Sequence, residues 1–261
     1  MSGHGARLLG ASALTLLAWT ASAGEIPPAE RRSGYDFMGR ETRAMQDDDT
    51  VNPGMLGVLE GGTLWARKTG TAGRACADCH GDGRASMKGV AARYPAFDAA
   101  LKRPVNLEQR INLCRTERQQ APALAHESRE LLALTAFVAR QSRGVPIDVA
   151  VDARTKPFID NGRAAFYRRQ GQLNLACSQC HDENWGKRLA GNAIPQAHPT
   201  GYPVYRLEWQ SLGSLQRRLR NCLVGIRAES YEYGAPELVE LELFLMWRAR
   251  GMTIETPAVR P

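Results

Sequence analysis

The sequence predicts a mainly α-helical chain built as two similar units. Three observations carry this. Segments 61–70 and 162–171 share Gly61/Gly162, Trp65/Phe166 and Gly70/Gly171 at matching positions. Each stands at the same distance before a Cys-x-x-Cys-His motif, Cys76-Ala77-Asp78-Cys79-His80 or Cys177-Ser178-Gln179-Cys180-His181. After each motif comes a segment with a lone cysteine, Cys114 or Cys222, and then a long apolar helix.

Taken in order, residues 1–23 have the layout of a secretory signal peptide. Arg7 precedes an apolar run from Leu8 to Trp19, and Ala21-Ser22-Ala23 offers a cleavage site. The run is too short and broken to span a bilayer, and no later stretch of about 18 apolar residues follows. The expected location is the periplasm, with no membrane partner. Residues 24–52 are polar and irregular; they read either as an extension wrapping the body or as a disordered lead-in. The first unit is expected over 53–144 and the second over 158–261. The linker, 145–157, has few helix signals.

Within the units, 61–70 and 162–171 read as short helices ended by glycine. The lone cysteines fall in helices expected over 106–118 and 212–227. The closing helices, 130–143 and 237–250, place Leu131, Leu134 and Val138, or Leu238, Leu241 and Leu245, on one face. The second is apolar nearly all round, with Val239, Leu243, Phe244, Met246 and Trp247, and is therefore expected to be buried.

The formal charge is +7, one lower without Arg7. In an exported protein this charge does not point to nucleic acid. Anionic substrates, or the carboxylates of a prosthetic group, suit it better.

Six cysteines in an exported chain would first suggest disulfides. The spacing of four of them instead marks two attachment sites for c-type haem. Cys76 and Cys79, and Cys177 and Cys180, would bind two haem c groups covalently; His80 and His181 would ligate the irons. Each half then resembles the cytochrome c fold, in which the helix before the motif crosses the terminal helix through an aromatic such as Trp65 or Phe166.

The remaining iron ligand decides between electron carriage and chemistry. For the second haem the candidates are Cys222 and His198, with Cys222 favoured; Met246 lies inside the closing helix. For the first they are Cys114, Met87 and His126, with Cys114 favoured by its place in the repeat. A Cys114–Cys222 disulfide is the competing reading. Arg218 stands four residues before Cys222, on the same helical face, while Arg217 and Arg220 point elsewhere. A cationic neighbour favours thiolate and attracts an anion.

The architecture, with segments 201–210 and 213–222, resembles the dihaem SoxA subunits of the SoxAX cytochromes. That resemblance implies an L-cysteine S-thiosulfotransferase. Such an enzyme joins thiosulfate oxidatively to a cysteine of the carrier SoxYZ and passes electrons to a monohaem partner, SoxX. It also implies that Cys222 ligates the active-site haem and carries a persulfide, that Arg218 holds the substrate, and that the first haem is remote. A thiosulfate dehydrogenase making tetrathionate and a plain dihaem electron carrier are the rival readings.

Overall fold

The computed structural model describes residues 25–261; the signal peptide expected over 1–23 lies outside them. Helix α1 (Arg40–Asp47) lies in the N-terminal extension, and the first unit holds α2 (Gly54–Ala66), α3 (Cys76–His80), α4 (Gly83–Ser86), β1 (Ala96–Asp98), β2 (Arg103–Val105), α5 (Leu107–Cys114) and α6 (Arg129–Arg140). The second holds α7 (Lys156–Tyr167), α8 (Cys177–His181), β3 (Arg188–Leu189), β4 (Asn192–Ala193), β5 (Val204–Arg206), β6 (Ser211–Gly213), α9 (Leu215–Gly225), α10 (Pro236–Arg248) and β7 (Ala258–Arg260). No helix among the described residues is long and apolar enough to cross a membrane.

In each unit a long helix crosses the closing helix, α2 over α6 and α7 over α10. A glycine sits at each crossing. A Cβ on Gly61 would lie 2.1 Å from the carbonyl oxygen of Ala133, and one on Gly162 2.1 Å from that of Glu240. Only a residue without a side chain lets the backbones meet this closely. One turn later an aromatic seals the crossing. Trp65 packs on Phe137 with ring centroids 5.5 Å apart, and Phe166 on Phe244 at 5.4 Å. Each crossing anchors one of the two apolar cores. As expected, α10 is buried on several faces, by Leu238, Val239, Leu243 and Phe244 among others.

Some helix ends differ from expectation for local reasons. The glycine-ended segments leave the helix at Arg67 and Arg168, and Gly70 and Gly171 turn the loops beyond. Helix α9 begins at Leu215 because 211–213 pairs as a strand. Ser214 then caps the helix by accepting the N–H of Arg217 at 3.1 Å. The helix expected over 106–118 stops at Cys114 and continues as one π-helical turn to Gln119. The hairpins β1–β2 and β5–β6 lie in stretches that read only as loop. Three-residue strands are too short for alternation to register.

Residues 25–52 wrap the body. Arg31 donates to the Arg250 carbonyl at 2.8 Å, and the Arg32 N–H donates to Gln196 at 2.6 Å. At the other end Asp49 pairs with Arg140 and Arg143, each at 2.7 Å. The segment between the units is also held: Ile147 and Val149 are buried, and Asp148 N–H donates to Ala92 at 2.9 Å. Asn106 at the start of α5 donates to Glu242 of α10 at 3.1 Å, joining the two units directly.

Candidate active site

Each Cys-x-x-Cys-His motif forms one helical turn, α3 or α8, which brings both thiols and the imidazole to one side. A side chain inside the motif fixes the turn. Asp78 accepts the N–H of Ala75 at 2.8 Å, and Gln179 accepts that of Ala176 at 2.9 Å. Trp65 donates to the Gly81 carbonyl at 3.0 Å and so ties α3 to α2. A buried ion pair between Asp182 and Arg248 ties α8 to α10; Arg248 is only 1% exposed and stacks on Phe166. His181 Nδ1 lies 2.6 Å from the Pro195 carbonyl. A carbonyl only accepts, so Nδ1 carries the proton and Nε2 is free to bind a metal.

Around the first motif lies a cavity of about 320 Å³, lined by Cys76, Cys79, His80 and Cys114. Its walls are mainly apolar, with Trp65, Leu107, Ile111 and Val138, while Arg74, Arg93 and Arg118 stand on its polar side. The residues fit a haem: two thiols for thioether bonds, two donors for iron, apolar walls for the macrocycle and guanidinium groups for its carboxylates. Met87 also lines this cavity, whereas His126 stacks on Tyr233 at 5.9 Å. Burial pushes the Cys114 thiol up from its ordinary pKa.

The second site is built on α9. Cys222 faces the His181 ring. Burial alone would raise its pKa, but the hydrogen-bonding contact with His181 and the guanidinium charges of Arg218 and Arg206 hold it below the ordinary thiol value. Arg218 is stabilised as a cation chiefly by Cys222. These residues fit a haem: Cys177 and Cys180 would form its thioether bonds, and His181 and Cys222 would offer donors for its iron. Of the other two arginines, Arg217 stacks over Trp209 at 4.2 Å, and Arg220 stacks over Tyr233 and donates to the Tyr231 carbonyl.

His198 is buried, and its Nδ1 lies 2.8 Å from the Arg32 carbonyl. Burial pushes its pKa down to about 4, so it is neutral and engaged by the N-terminal extension. Cys114 and Cys222 are both free, each facing its own motif, which replaces the disulfide reading. The sequence reading missed Arg206 and Tyr202, which flank Cys222 and Arg218. A signal was present: Tyr94-Pro95 and Tyr202-Pro203 stand at the same distance before the two lone cysteines.

Fold and site together define a c-type cytochrome with two attachment turns, each facing a cysteine from a second helix. The family model described as SoxA/TsdA, cytochrome c domain, matches residues 60–147 and 161–254. The chain belongs to that family and carries two covalently bound haem c groups. It is 39% identical over 235 residues to the L-cysteine S-thiosulfotransferase subunit SoxA of Pseudaminobacter salicylatoxidans, covering 90% of this chain and 82% of that one. The same subunit of Rhodovulum sulfidophilum is 37% identical, over 88% and 80% of the two chains. The crystal structure of SoxXA from P. pantotrophus matches with a TM-score of 0.85 and 31% identity, over 88% of this chain and 87% of that one.

Proposed function

We propose that the protein is the dihaem subunit of a periplasmic L-cysteine S-thiosulfotransferase, paired with a small monohaem SoxX cytochrome and acting on thiosulfate and the carrier SoxYZ. The observation that carries this is a lone cysteine, Cys222, facing a motif histidine with Arg218 beside it. The names of the most similar relatives support it over tetrathionate formation or plain electron carriage. The units are assigned to 53–144 and 158–261. Cys76 and Cys79, and Cys177 and Cys180, form the thioether bonds. His80 and Cys114 ligate the first iron, His181 and Cys222 the second.

The reaction removes two electrons and one proton. The carrier thiol and thiosulfate (S2O3 2−) become the carrier S-thiosulfonate (–S–S–SO3 −) as one S–S bond forms. Haem supplies the one-electron acceptors. Arg218 holds the sulfonate end and offsets the repulsion between two anionic sulfur nucleophiles. Cys222 bearing an added sulfur gives a covalent route. Its persulfide sulfur joins the terminal sulfur of thiosulfate with loss of two electrons. The carrier thiolate then attacks that thiosulfate sulfur, and the Cys222 persulfide leaves unchanged.

Replacing Cys222 with Met is expected to keep both haems and abolish thiosulfate turnover; turnover at the wild-type rate would sink the covalent role. Mass spectrometry of the wild type is expected to show two haem additions and a sulfur adduct of about 32 daltons on Cys222.

A further inference from the structure

The two cysteine sites are built on the same scaffold, yet one hairpin position carries opposite charges in them. In each unit a Tyr-Pro step leads into a hairpin of identical register: Ala96 opposite Val105 and Asp98 opposite Arg103 in the first, Val204 opposite Gly213 and Arg206 opposite Ser211 in the second. Lys102 and Gln210 adopt the same left-handed backbone, φ 53° and 50°, just before the second strand. The residue after each hairpin, Asn106 or Ser214, caps the helix that carries the lone cysteine. From the caps, Arg110 corresponds to Arg218 and Cys114 to Cys222. In the hairpins, Asp98 corresponds to Arg206.

In the first unit the helix arginine is neutralised. Arg110 pairs with Asp98 at 2.5 Å, and the same carboxylate accepts the N–H groups of Ala100 and Leu101, each at 2.9 Å. In the second unit arginine meets arginine. Arg206 and Arg218 repel one another beside Cys222. Arg206 is 9% exposed, and its Nε finds no acceptor among the described residues. Its carboxylate partner is Glu208, at 2.9 Å and largely exposed. Among the described residues Arg218 makes no salt bridge; Glu208 acts on it only as a lesser charge. A buried guanidinium with an unpartnered donor beside a half-buried one is an unbalanced arrangement unless an anion completes it.

We propose that Arg206 is a second substrate-binding residue, sharing a sulfur oxyanion with Arg218, and that Asp98 at the matching position keeps the first site from binding one. This rests on the proposed function and deepens it. The pair suits a small dianion with a sulfonate end, one guanidinium contributing a fork of donors and the other a second contact.

The test is calorimetric titration of thiosulfate into the oxidised protein with both haems attached, alongside steady-state kinetics. Arg206→Gln is expected to weaken thiosulfate binding and raise KM on the order of 10- to 100-fold, with Arg206→Lys restoring most of the loss. Arg206→Asp, which copies the first unit's ion pair, is expected to abolish binding while haem content and thermal midpoint hold. If that variant does not fold, the Gln and Lys variants carry the test. Asp98→Asn is expected to let thiosulfate perturb the first haem's absorption spectrum. Wild-type affinity in Arg206→Gln, together with lost affinity in Arg218→Gln, would overturn the role of Arg206. A wild type that neither binds nor turns over thiosulfate would overturn the functional reading itself, and this inference with it.

Discussion

Cys114 and Cys222 occupy the same turn of corresponding helices, yet their surroundings push them in opposite directions. Burial dominates at Cys114, where Glu117 partly offsets Arg110 and Arg118. At Cys222 burial is outweighed by His181, Arg218 and Arg206. A lowered pKa means more thiolate at neutral pH, which is the form that binds iron and attacks sulfur. Arg218 sits one turn before Cys222 and is expected to contribute most of the substrate contact on the helix side. Arg218→Gln should lower kcat/KM for thiosulfate about 10- to 100-fold, the range for a hydrogen bond to a charged group. Haem attachment should be unaffected, because the attachment motif lies on α8 and Arg218 on α9. Activity within twofold of wild type would remove Arg218 from the site. The motif cysteines and histidines were legible in the sequence because short, fixed spacing carries their chemistry; Cys114 and Cys222 stood out through the repeat, and Arg218 through its place one turn before Cys222. Arg206 was not, since its role depends on a hairpin that folds back from a different part of the chain.

The helices were legible because their apolar faces recur at helical spacing, and the crossing glycines showed as a repeat. The hairpins were not, and with them went the equivalence of Asp98 and Arg206. The junction of α5 and α10 was also hidden, because it pairs a carboxylate with a distant helix start. Glu242 is 6% exposed and accepts from Asn106 at 3.1 Å. Burial, then the nearby Glu108, pushes its pKa up to about 8. The folded protein thus keeps a proton that the unfolded chain releases above the ordinary carboxylate range. Unfolding releases that proton, so stability falls as pH rises from about 5 until Glu242 ionises near 8. Glu242→Gln removes this loss. Denaturant unfolding is expected to show the variant gaining on wild type by a few kcal/mol, in order of magnitude, between pH 5 and pH 8. Parallel pH profiles would show that Glu242 ionises normally in the folded protein.

Across the whole molecule, the N-terminal extension joins elements far apart in sequence. It touches the turn after α10 through Arg31, the loop after β4 through Arg32, and α6 through Asp49. Deleting residues 25–38 would strip partners from Gln196 and His198, both buried. Each orphaned buried polar group costs about 1–3 kcal/mol, and each kcal/mol is worth about 2–4 °C at this chain length. A fall of at least about 5 °C in the thermal midpoint is therefore expected by calorimetry, with haem content preserved; an unchanged midpoint would make the extension an ornament of the surface. The other end of the chain has a different kind of leverage. Strand β7 pairs in parallel with β5, and the Leu207 N–H donates to the Arg260 carbonyl at 2.9 Å. Arg206 therefore rides on a strand whose outer neighbour is only three residues long, Ala258–Arg260. Removing residues 258–261 would unzip that flank and loosen Arg206. Both attachment motifs lie elsewhere in the chain, so such clipping would yield a protein of undiminished colour and failing catalysis.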